Sequence, residues 1–329
     1  MDGQSPACAG VDLGGTKIAI AIGTAEGEIL AQTKIATQPE NGPEAAFKRV
    51  AEALKDLSSS SGHGFEAIGL GVPGLADPVR GTIEFLPNLP ESWRGFGACS
   101  FLGEATGRPV RILNDARLAA LGEFHFGSKA TRPDLLVVTL GTGIGGGLIL
   151  DGRLRLGAFC AAGEVGHHTI LPDGVPCTCG SNGCLETLFS GPVLTREGIR
   201  LAQSGVAPHL AQLVHGDLNS ITPKEMLLAA EMGDEKVAEC IERAARYLGI
   251  GIANAVSITA VAEVVLCGGV AALGDRILNP VRNEVSKRVR MFPSSHVKVD
   301  CSRLGDAVGV LGALALAFFP VAVDGLTPE

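Results

Sequence analysis

The sequence predicts an α/β protein of two domains, and three observations carry this prediction. Apolar runs of strand length alternate with longer segments in which apolar residues recur at helical spacing. The chain has 329 residues, which is more than one small hydrophobic core usually needs. A strand, a turn of glycine and threonine, and a second strand occur twice, at residues 9–23 and 135–150. This shared pattern suggests two related domains.

The individual elements follow from the same alternation. The first half should contain strands at 9–13, 17–23, 29–35, 67–72 and 110–113, with helices at 43–57 and 115–126. The second half should contain strands at 135–140, 146–150 and 263–267, with helices at 236–255, 275–290 and 307–323. Four serines and a glycine at 58–62 are expected to form a loop after the first helix.

Composition limits the classes of function. A net charge of −8 weighs against a nucleic-acid-binding surface, which would need a basic patch. Residues 1–9 have neither a basic start nor an apolar run, so they are not expected to be a signal peptide. Nine cysteines, an odd number, argue against a disulfide framework and favour the reducing cytoplasm. The apolar segment 307–323 is too short for a comfortable membrane span, so a buried helix is expected.

Cysteine and histidine are concentrated between residues 167 and 184. Glycines near the last cysteine would allow a tight chain reversal that brings these side chains together. Such a group predicts a bound metal, and buried free cysteines are the alternative. An iron–sulfur cluster is less favoured because histidine supplies the fourth ligand. His168 is a competing histidine that spacing cannot separate. A structural zinc is therefore predicted, in a closed tetrahedral site that would stiffen the loop. Its ligands would be His167, Cys177, Cys179 and Cys184.

Two glutamates adjoin this cysteine cluster. Glu164 precedes the histidine by three residues, and Glu186 follows the last cysteine by two. A carboxylate held beside a rigid metal site could bind a polyhydroxyl ligand with little further ordering cost. Ordinary solvated acids are the alternative for both positions.

Two glycine-rich turns follow predicted strands. Residues 12–17 (DLGGTK) place backbone N–H groups, a hydroxyl and an ammonium around one bend, which suits phosphate oxygens. An ionised Asp12 could hold Mg²⁺ through water. Residues 141–146 (GTGIGG) match the dinucleotide fingerprint formally, but a strand follows instead of a helix, so a Rossmann site is rejected. Two phosphate-binding hairpins are the better interpretation, and plain tight turns are the alternative.

Three further polar residues lie at suggestive places. Asn114 and Asp115 occur where a predicted strand ends and a helix begins, and ligands of open α/β sheets usually bind at that edge. Asp115 as a simple helix N-cap is the plainer alternative. Asn88 offers an amide in the run Pro-Asn-Leu-Pro at 87–90, where a plain turn is the alternative.

Together these motifs resemble the ROK family, named for its repressors, open reading frames and kinases. The cysteine motif is the specific part of the resemblance, because a lone glycine turn would show little. The motifs run in family order from about residue 8 to residue 316, and they are DLGGTK (12–17), PNLP (87–90), LND (113–115), LGTGIGGG (140–147), GEVGH (163–167) and CTCGSNGCLE (177–186).

The resemblance implies an actin-like ATPase or hexokinase-type fold, with two α/β domains around a cleft. A small N-terminal domain, 1–117, would be joined by the C-terminal helix at 304–329, and a large domain with the zinc motif would span 118–303. The implied activity is ATP-dependent phosphorylation of a hexose, by default glucose, with ATP, Mg²⁺ and Zn²⁺ as cofactors. The implied protein is a cytoplasmic homodimer or homotetramer that binds neither nucleic acid nor membranes.

The same resemblance assigns roles to single residues. Asp115 is the implied catalytic base, and His167 would bind zinc through one ring nitrogen and a sugar hydroxyl through the other. The implied sugar ligands are Asn88, Asn114, Glu164, His167 and Glu186. The phosphates would contact Gly14, Gly15, Thr16, Thr142 and Gly143, and the nucleotide cleft would be lined by Gly268 and Gly269. The chemistry of the first turn adds Asp12 and Lys17 to the predicted nucleotide-binding residues.

Two departures from the family pattern bear on the substrate. The loop before Trp93 is one residue longer than the commonest form, and Arg117 stands where a small or polar residue is frequent. N-acetylglucosamine, N-acetylmannosamine, fructose and allose therefore stay alternatives to glucose. A sugar-responsive repressor of the same family is the alternative class. Only eleven residues precede Asp12 in this sequence, so a DNA-reading helix-turn-helix domain is not expected.

Overall fold

The structure is a computed structural model that describes residues 6–85, 89–127 and 133–320. The chain forms two compact units. The first unit comprises Met1–Asp134, Gly147–Gly163 and Arg303–Glu329, and the second comprises Leu135–Gly146 and Glu164–Ser302. The domain boundaries implied by the family resemblance stay a prediction.

The first unit is built on a five-stranded sheet of order β3-β2-β1-β4-β7. The first three strands pair antiparallel, whereas β1, β4 and β7 are parallel neighbours. Strand β4, with the sequence IGLGV, is buried along its whole length, as expected for a central parallel strand covered on both faces. The strands are β1 (Ala7–Leu13), β2 (Lys17–Thr24), β3 (Ile29–Ala36), β4 (Ile68–Val72) and β7 (Val110–Asn114), with a separate hairpin of β5 (Leu75–Asp77) and β6 (Thr82–Phe85).

Helices cover both faces of this sheet. On one face, α1 and α2 close a hydrophobic core that includes Phe47, Leu54 and the fully buried Trp93. The prediction of a loop at 58–62 is wrong, because α1 continues to Ser61 and is capped by Gly62, which takes the left-handed conformation with φ of +75°. The helices of this unit are α1 (Gly42–Ser61), α2 (Ala98–Thr106), α3 (Asp115–Phe126) and α9 (Val308–Phe318).

The apolar helix α9 packs against the other face of the sheet and against α3. Glycines allow this close approach: a Cβ at Gly69 of β4 would lie 1.8 Å from the carbonyl oxygen of Ala313, and one at Gly312 would lie 2.0 Å from that of Leu118. The expected buried helix is therefore present, with ends at 308 and 318. Within the described ranges, no helix has the length and apolar character needed to cross a bilayer.

The second unit follows the strand–turn–strand pattern that the sequence repeats. The sheet that begins there has the order β10-β9-β8-β11-β12, which parallels the order of the first sheet, and β8, β11 and β12 are parallel. The chain passes from the second unit into the first within β9, at Gly147. The strands are β8 (Leu135–Leu140), β9 (Ile144–Leu150), β10 (Arg153–Arg155), β11 (Glu263–Cys267) and β12 (Lys298–Cys301). The helices are α4 (Gly191–Gln203), α5 (Pro208–Leu213), α6 (Pro223–Met232), α7 (Glu235–Thr259) and α8 (Asp275–Arg288).

Candidate active site and metal cluster

The turn after β1 exposes the groups that the sequence predicts for phosphate binding. The N–H of Gly14 donates to the carbonyl of Lys17 at 2.9 Å and closes the bend. Thr37 braces it from behind, since its hydroxyl donates to the carbonyl of Gly14 at 2.7 Å and its N–H donates to that of Thr16 at 3.0 Å. Gly15, Thr16 and Lys17 are exposed. The turn therefore presents backbone N–H groups, a hydroxyl and an ammonium to solvent on a rigid support.

Asp12 lies at the end of β1, just before this turn. Burial raises the pKa of its carboxyl group. The first turn of α9 approaches it closely, and a Cβ at Gly309 would lie 2.1 Å from Asp12 Oδ2. A side chain at position 309 would displace this carboxylate from its place, a close approach that sequence reasoning missed.

Asn114 and Asp115 form the junction of β7 and α3. The Oδ1 atom of Asn114 caps the helix by accepting from the N–H groups of Ala116 at 2.9 Å and Arg117 at 3.3 Å. Its Nδ2 atom donates to the carbonyl of Gly74 at 2.6 Å and to Asp115 Oδ1 at 2.9 Å. Asp115 Oδ1 also accepts from the N–H of Ala116 at 2.7 Å. The N-cap is thus Asn114, and Asp115 is a carboxylate oriented by two donors.

Asp12 and Asp115 lie at the same edge of the first sheet. In the parallel register Asp12 pairs with Gly71 of β4, and Val72 of β4 pairs with Asn114. The turn after β1 and the start of α3 therefore follow strands whose carboxyl ends are two strand spacings apart, or about 10 Å. This edge brings the turn that is predicted to bind phosphate within reach of the candidate base.

A second glycine-rich turn occupies the corresponding edge in the second unit. The N–H of Gly141 donates to the carbonyl of Gly143 at 3.0 Å, which closes the turn between β8 and β9. Gly268 follows the neighbouring parallel strand β11 with φ of +92°, and a Cβ there would lie 2.5 Å from the carbonyl oxygen of Leu140. Two adjacent strands of one sheet are therefore followed by residues that are predicted to bind nucleotide: Thr142, Gly143, Gly268 and Gly269.

The side chain of Glu186 contacts this second turn. Its Oε2 atom accepts from the N–H of Ile144 at 2.8 Å, and a Cβ at Gly143 would lie 2.3 Å from the same oxygen. Sequence reasoning predicted a sugar ligand here but missed this contact, for which the sequence offers no signal because 42 positions separate the partners.

The predicted metal ligands come together in the second unit. The ligand atoms all lie within 4.8 Å of one another. Cys177 Sγ is 3.7 Å from His167 Nδ1, and Cys179 Sγ is 3.6 Å from Cys184 Sγ. A tetrahedral zinc would set such separations at about 3.6–3.8 Å, given Zn–S near 2.3 Å and Zn–N near 2.0 Å. Two of the separations therefore match a zinc site, and the donor set of such a site is supplied by four residues: His167, Cys177, Cys179 and Cys184.

The surroundings of Cys184 and Cys179 shift the pKa values of their thiols in opposite directions. Burial, followed by hydrogen bonding from Cys179 and Cys177, raises the pKa of Cys184 to about 12. Hydrogen bonding, first from the backbone at Ser181, lowers the pKa of Cys179. A divalent cation is the partner that would hold all the sulfurs as thiolates.

The geometry separates the two histidines that spacing left open. His168 turns away from the sulfurs: its Nδ1 contacts the carbonyl of Val165, and its ring packs on Gly251 of α7. Glu164 immediately precedes the short 3-10 helix Val165–His167 and lies three residues before His167. Asn88, also predicted as a sugar ligand, lies outside the described residues.

Comparison with known proteins agrees with this architecture. The sequence profile of the ROK family matches residues 8–318. The chain belongs to the ROK family. It is 35% identical to a glucokinase of Halalkalibacterium halodurans over 310 residues, 92% of each chain. It is also 32% identical to a xylose repressor of Caldicellulosiruptor bescii, covering 93% of this chain and 77% of the repressor.

Solved structures show the same fold. A ROK glucokinase from Streptomyces griseus, in complex with glucose and AMPPNP, superposes with a TM-score of 0.82 at 35% identity, covering 95% of this chain and 99% of that one. A ROK hexokinase from Thermus thermophilus gives 0.79 at 36% identity, with 96% and 99% covered. These neighbours confirm the actin-like, hexokinase-type fold of the ROK chain.

Proposed function

We propose that this ROK protein transfers the γ-phosphoryl group of ATP to a hydroxyl of a hexose, and that the hexose is glucose. One observation carries the proposal: the same edge of the first sheet holds Asp12, the turn at 14–16 and Asp115. Similarity to glucokinases over nearly the whole chain supports it, as does a structural neighbour whose complex holds glucose and an ATP analogue.

Asp115 is the proposed base. A sugar oxygen attacks the γ-phosphorus, the bond to the oxygen that bridges the β- and γ-phosphates breaks, and the hydroxyl proton passes to Asp115. Hydrogen bonds from Asn114 Nδ2 and the N–H of Ala116 both reach Oδ1 of Asp115. They hold the carboxylate in one orientation.

The phosphates of ATP are proposed to bind the two glycine-rich turns. N–H groups of such turns stabilise phosphate oxygens without reorganising during the reaction. When bound, the Mg²⁺ that accompanies ATP would neutralise part of the phosphate charge. Asp12 is the carboxylate proposed to hold this ion. The residues proposed to contact nucleotide are Asp12, Gly14, Gly15, Thr16, Lys17, Thr142, Gly143, Gly268 and Gly269.

The proposed sugar ligands are Asn88, Asn114, Glu164, His167 and Glu186. Of these, Glu164 and Glu186 flank the metal cluster in the sequence. When bound, zinc would tie together three segments of the loop through His167, Cys177, Cys179 and Cys184, and so limit the motion of both glutamates. Both amide hydrogens of Asn114 are used inside the protein, so its proposed part is mainly to orient Asp115.

A sugar-responsive regulator is the second candidate, because the xylose repressor is nearly as similar to this chain as the glucokinases are. A coupled assay of ADP release separates the two, run with glucose, N-acetylglucosamine, N-acetylmannosamine, fructose and allose. Turnover with glucose and a phosphorylated product identified by NMR is the expected result. Sugar binding by calorimetry without turnover on any sugar would contradict the kinase. A cytoplasmic homodimer or homotetramer is part of the proposal, and sedimentation measures the oligomeric state.

A further inference from the structure

Arg117 is a charged side chain in the interior of the first unit. It lies on the first turn of α3, and only 1% of its surface is exposed. A guanidinium group loses much hydration free energy when it is buried, so such a group persists where it makes specific contacts. Two of its contacts lead directly to the candidate active site.

The first contact is to the side chain that orients Asp115. Arg117 Nη1 donates to Asn114 Oδ1 at 3.0 Å, in addition to the two backbone donors that this oxygen already accepts. With three donors on its oxygen, the amide of Asn114 has one possible orientation. A flipped amide would put Oδ1 against the carbonyl of Gly74 and the carboxylate of Asp115.

The charge of Arg117 also acts through this amide. A cation bound to the oxygen of an amide polarises it, and the N–H groups of that amide then donate more strongly. One of these N–H groups is the donor to Asp115 Oδ1 at 2.9 Å. A chain of hydrogen bonds therefore runs from the guanidinium of Arg117, through the amide of Asn114, to the carboxylate of Asp115, the proposed base.

The second contact is to the loop that leads to Glu164. Arg117 Nη2 donates to the carbonyl of Ala162 at 3.2 Å. This loop contains two residues with positive φ, Cys160 at +52° and Gly163 at +91°. Gly163 is the last residue of the first unit in this segment, and Glu164 is the first of the second. The contact thus holds the chain two residues before a proposed sugar ligand.

We propose that Arg117 is a positioning residue for phosphoryl transfer: it fixes the Asn114 amide that orients Asp115, and it anchors the Ala162 carbonyl on the approach to Glu164. This inference rests on the proposed kinase activity. It also assigns a role to the position where the sequence departs from the small or polar residue frequent in the family.

The test compares Arg117→Met and Arg117→Lys with the wild type. Met keeps the apolar stem and loses both contacts, whereas the single ammonium of Lys can reach one acceptor but not both in a fork. Arg117→Met should lower kcat about 10- to 100-fold, since small misplacements of reacting groups cost that much. KM for ATP should stay within about twofold, because no phosphate contact is lost, and Arg117→Lys should be intermediate. Arg111→Met, on β7, is the control and should keep the wild-type kcat.

A double-mutant cycle separates positioning from stability. If Arg117 acts through Asn114, Arg117→Met should lower kcat at least several-fold less in an Asn114→Ala background than in the wild type. Multiplicative losses in the cycle, or a lower melting temperature with unchanged kcat in both Arg117 variants, would overturn the inference. If Arg117→Met fails to fold, the cycle is run with Arg117→Lys. Wild-type protein without turnover on any sugar would instead remove the proposed function, and the inference with it.

Discussion

The carboxylate of Glu186 accepts a hydrogen bond from the backbone N–H of Ile144 at 2.8 Å. This bond joins the residue two positions after the last cysteine of the metal cluster to the turn that carries Thr142 and Gly143. A proposed sugar ligand is thereby also a brace for a proposed phosphate-binding turn. Within the second unit, the residue proposed as a sugar ligand therefore links the cysteine segment to the turn proposed to bind phosphate.

This connection predicts that removal of the Glu186 side chain weakens nucleotide binding as well as sugar binding. A hydrogen bond to a charged group contributes about 1.5–3 kcal/mol, so Glu186→Ala should weaken AMPPNP binding roughly tenfold or more. Glu186→Gln keeps an oxygen that can accept from Ile144 and should lose much less. Calorimetric titration of AMPPNP and Mg²⁺ without sugar measures both. Glu231→Ala, an exposed glutamate on α6, is the control, and equal affinities for all variants would show that the brace is unimportant.

Purified protein should contain one zinc per chain, and Cys179→Ser should lose it. Because the ligands tie together distant parts of one loop, the variant should also melt at a lower temperature and lose activity. Metal binding displaces protons from the thiols, so zinc affinity should fall as the pH is lowered. Elemental analysis and thermal melting with and without a chelator measure these effects. Cys301→Ser, outside the cluster, should keep its zinc; iron, or no metal in active protein, would contradict the assignment.

Asp115→Asn should lower kcat by about 10²–10⁴-fold, the usual contribution of a general base. The asparagine oxygen can still accept from Asn114 Nδ2 and the N–H of Ala116, so the local structure and sugar binding should be retained. Steady-state kinetics and calorimetric sugar titration measure the two effects separately. Asp56→Asn, on the surface of α1, is the control. A variant that keeps a tenth of wild-type turnover would rule out Asp115 as the base.

His125 should make the first unit sensitive to acid. Its ring stacks on Phe319 with centroids 4.2 Å apart, and burial lowers its pKa from 6.5 to about 4. The unfolded chain then binds a proton more readily than the folded one, so stability present above pH 6.5 is lost as the pH falls towards 4. His125→Phe keeps an aromatic ring without this titration, and its melting temperature should fall less between pH 7 and pH 4.5. The exposed control His296→Gln should follow the wild type, and parallel curves for His125→Phe and wild type would contradict the argument.

Short-range features of this protein could be read from its sequence. The strand–turn–strand segments, helix α3 from Asp115 to Phe126, and the clustering of Cys177, Cys179 and Cys184 all depend on neighbouring residues, whose spacing determines periodicity and reach. Other elements were missed although a local signal exists: α5 and α6 both begin with proline, at Pro208 and Pro223, which is favoured at the first helical position. The sequence predicts a loop at Ser58–Ser61, where the structure has helix. Serine has a weak helix propensity, but packing of the earlier turns sustains the helix.

Long-range contacts were decided only by the tertiary structure. The choice of His167 over His168 depends on which ring faces the sulfurs and which faces Gly251 of α7, and spacing is the same for both to within one residue. The brace from Glu186 to Ile144 joins residues far apart in the chain. The burial of Arg117 depends on the loop that supplies the Ala162 carbonyl, 45 positions away. Sequence patterns determine local geometry because it depends on adjacent residues, whereas the orientation of a side chain depends on what the whole fold packs against it.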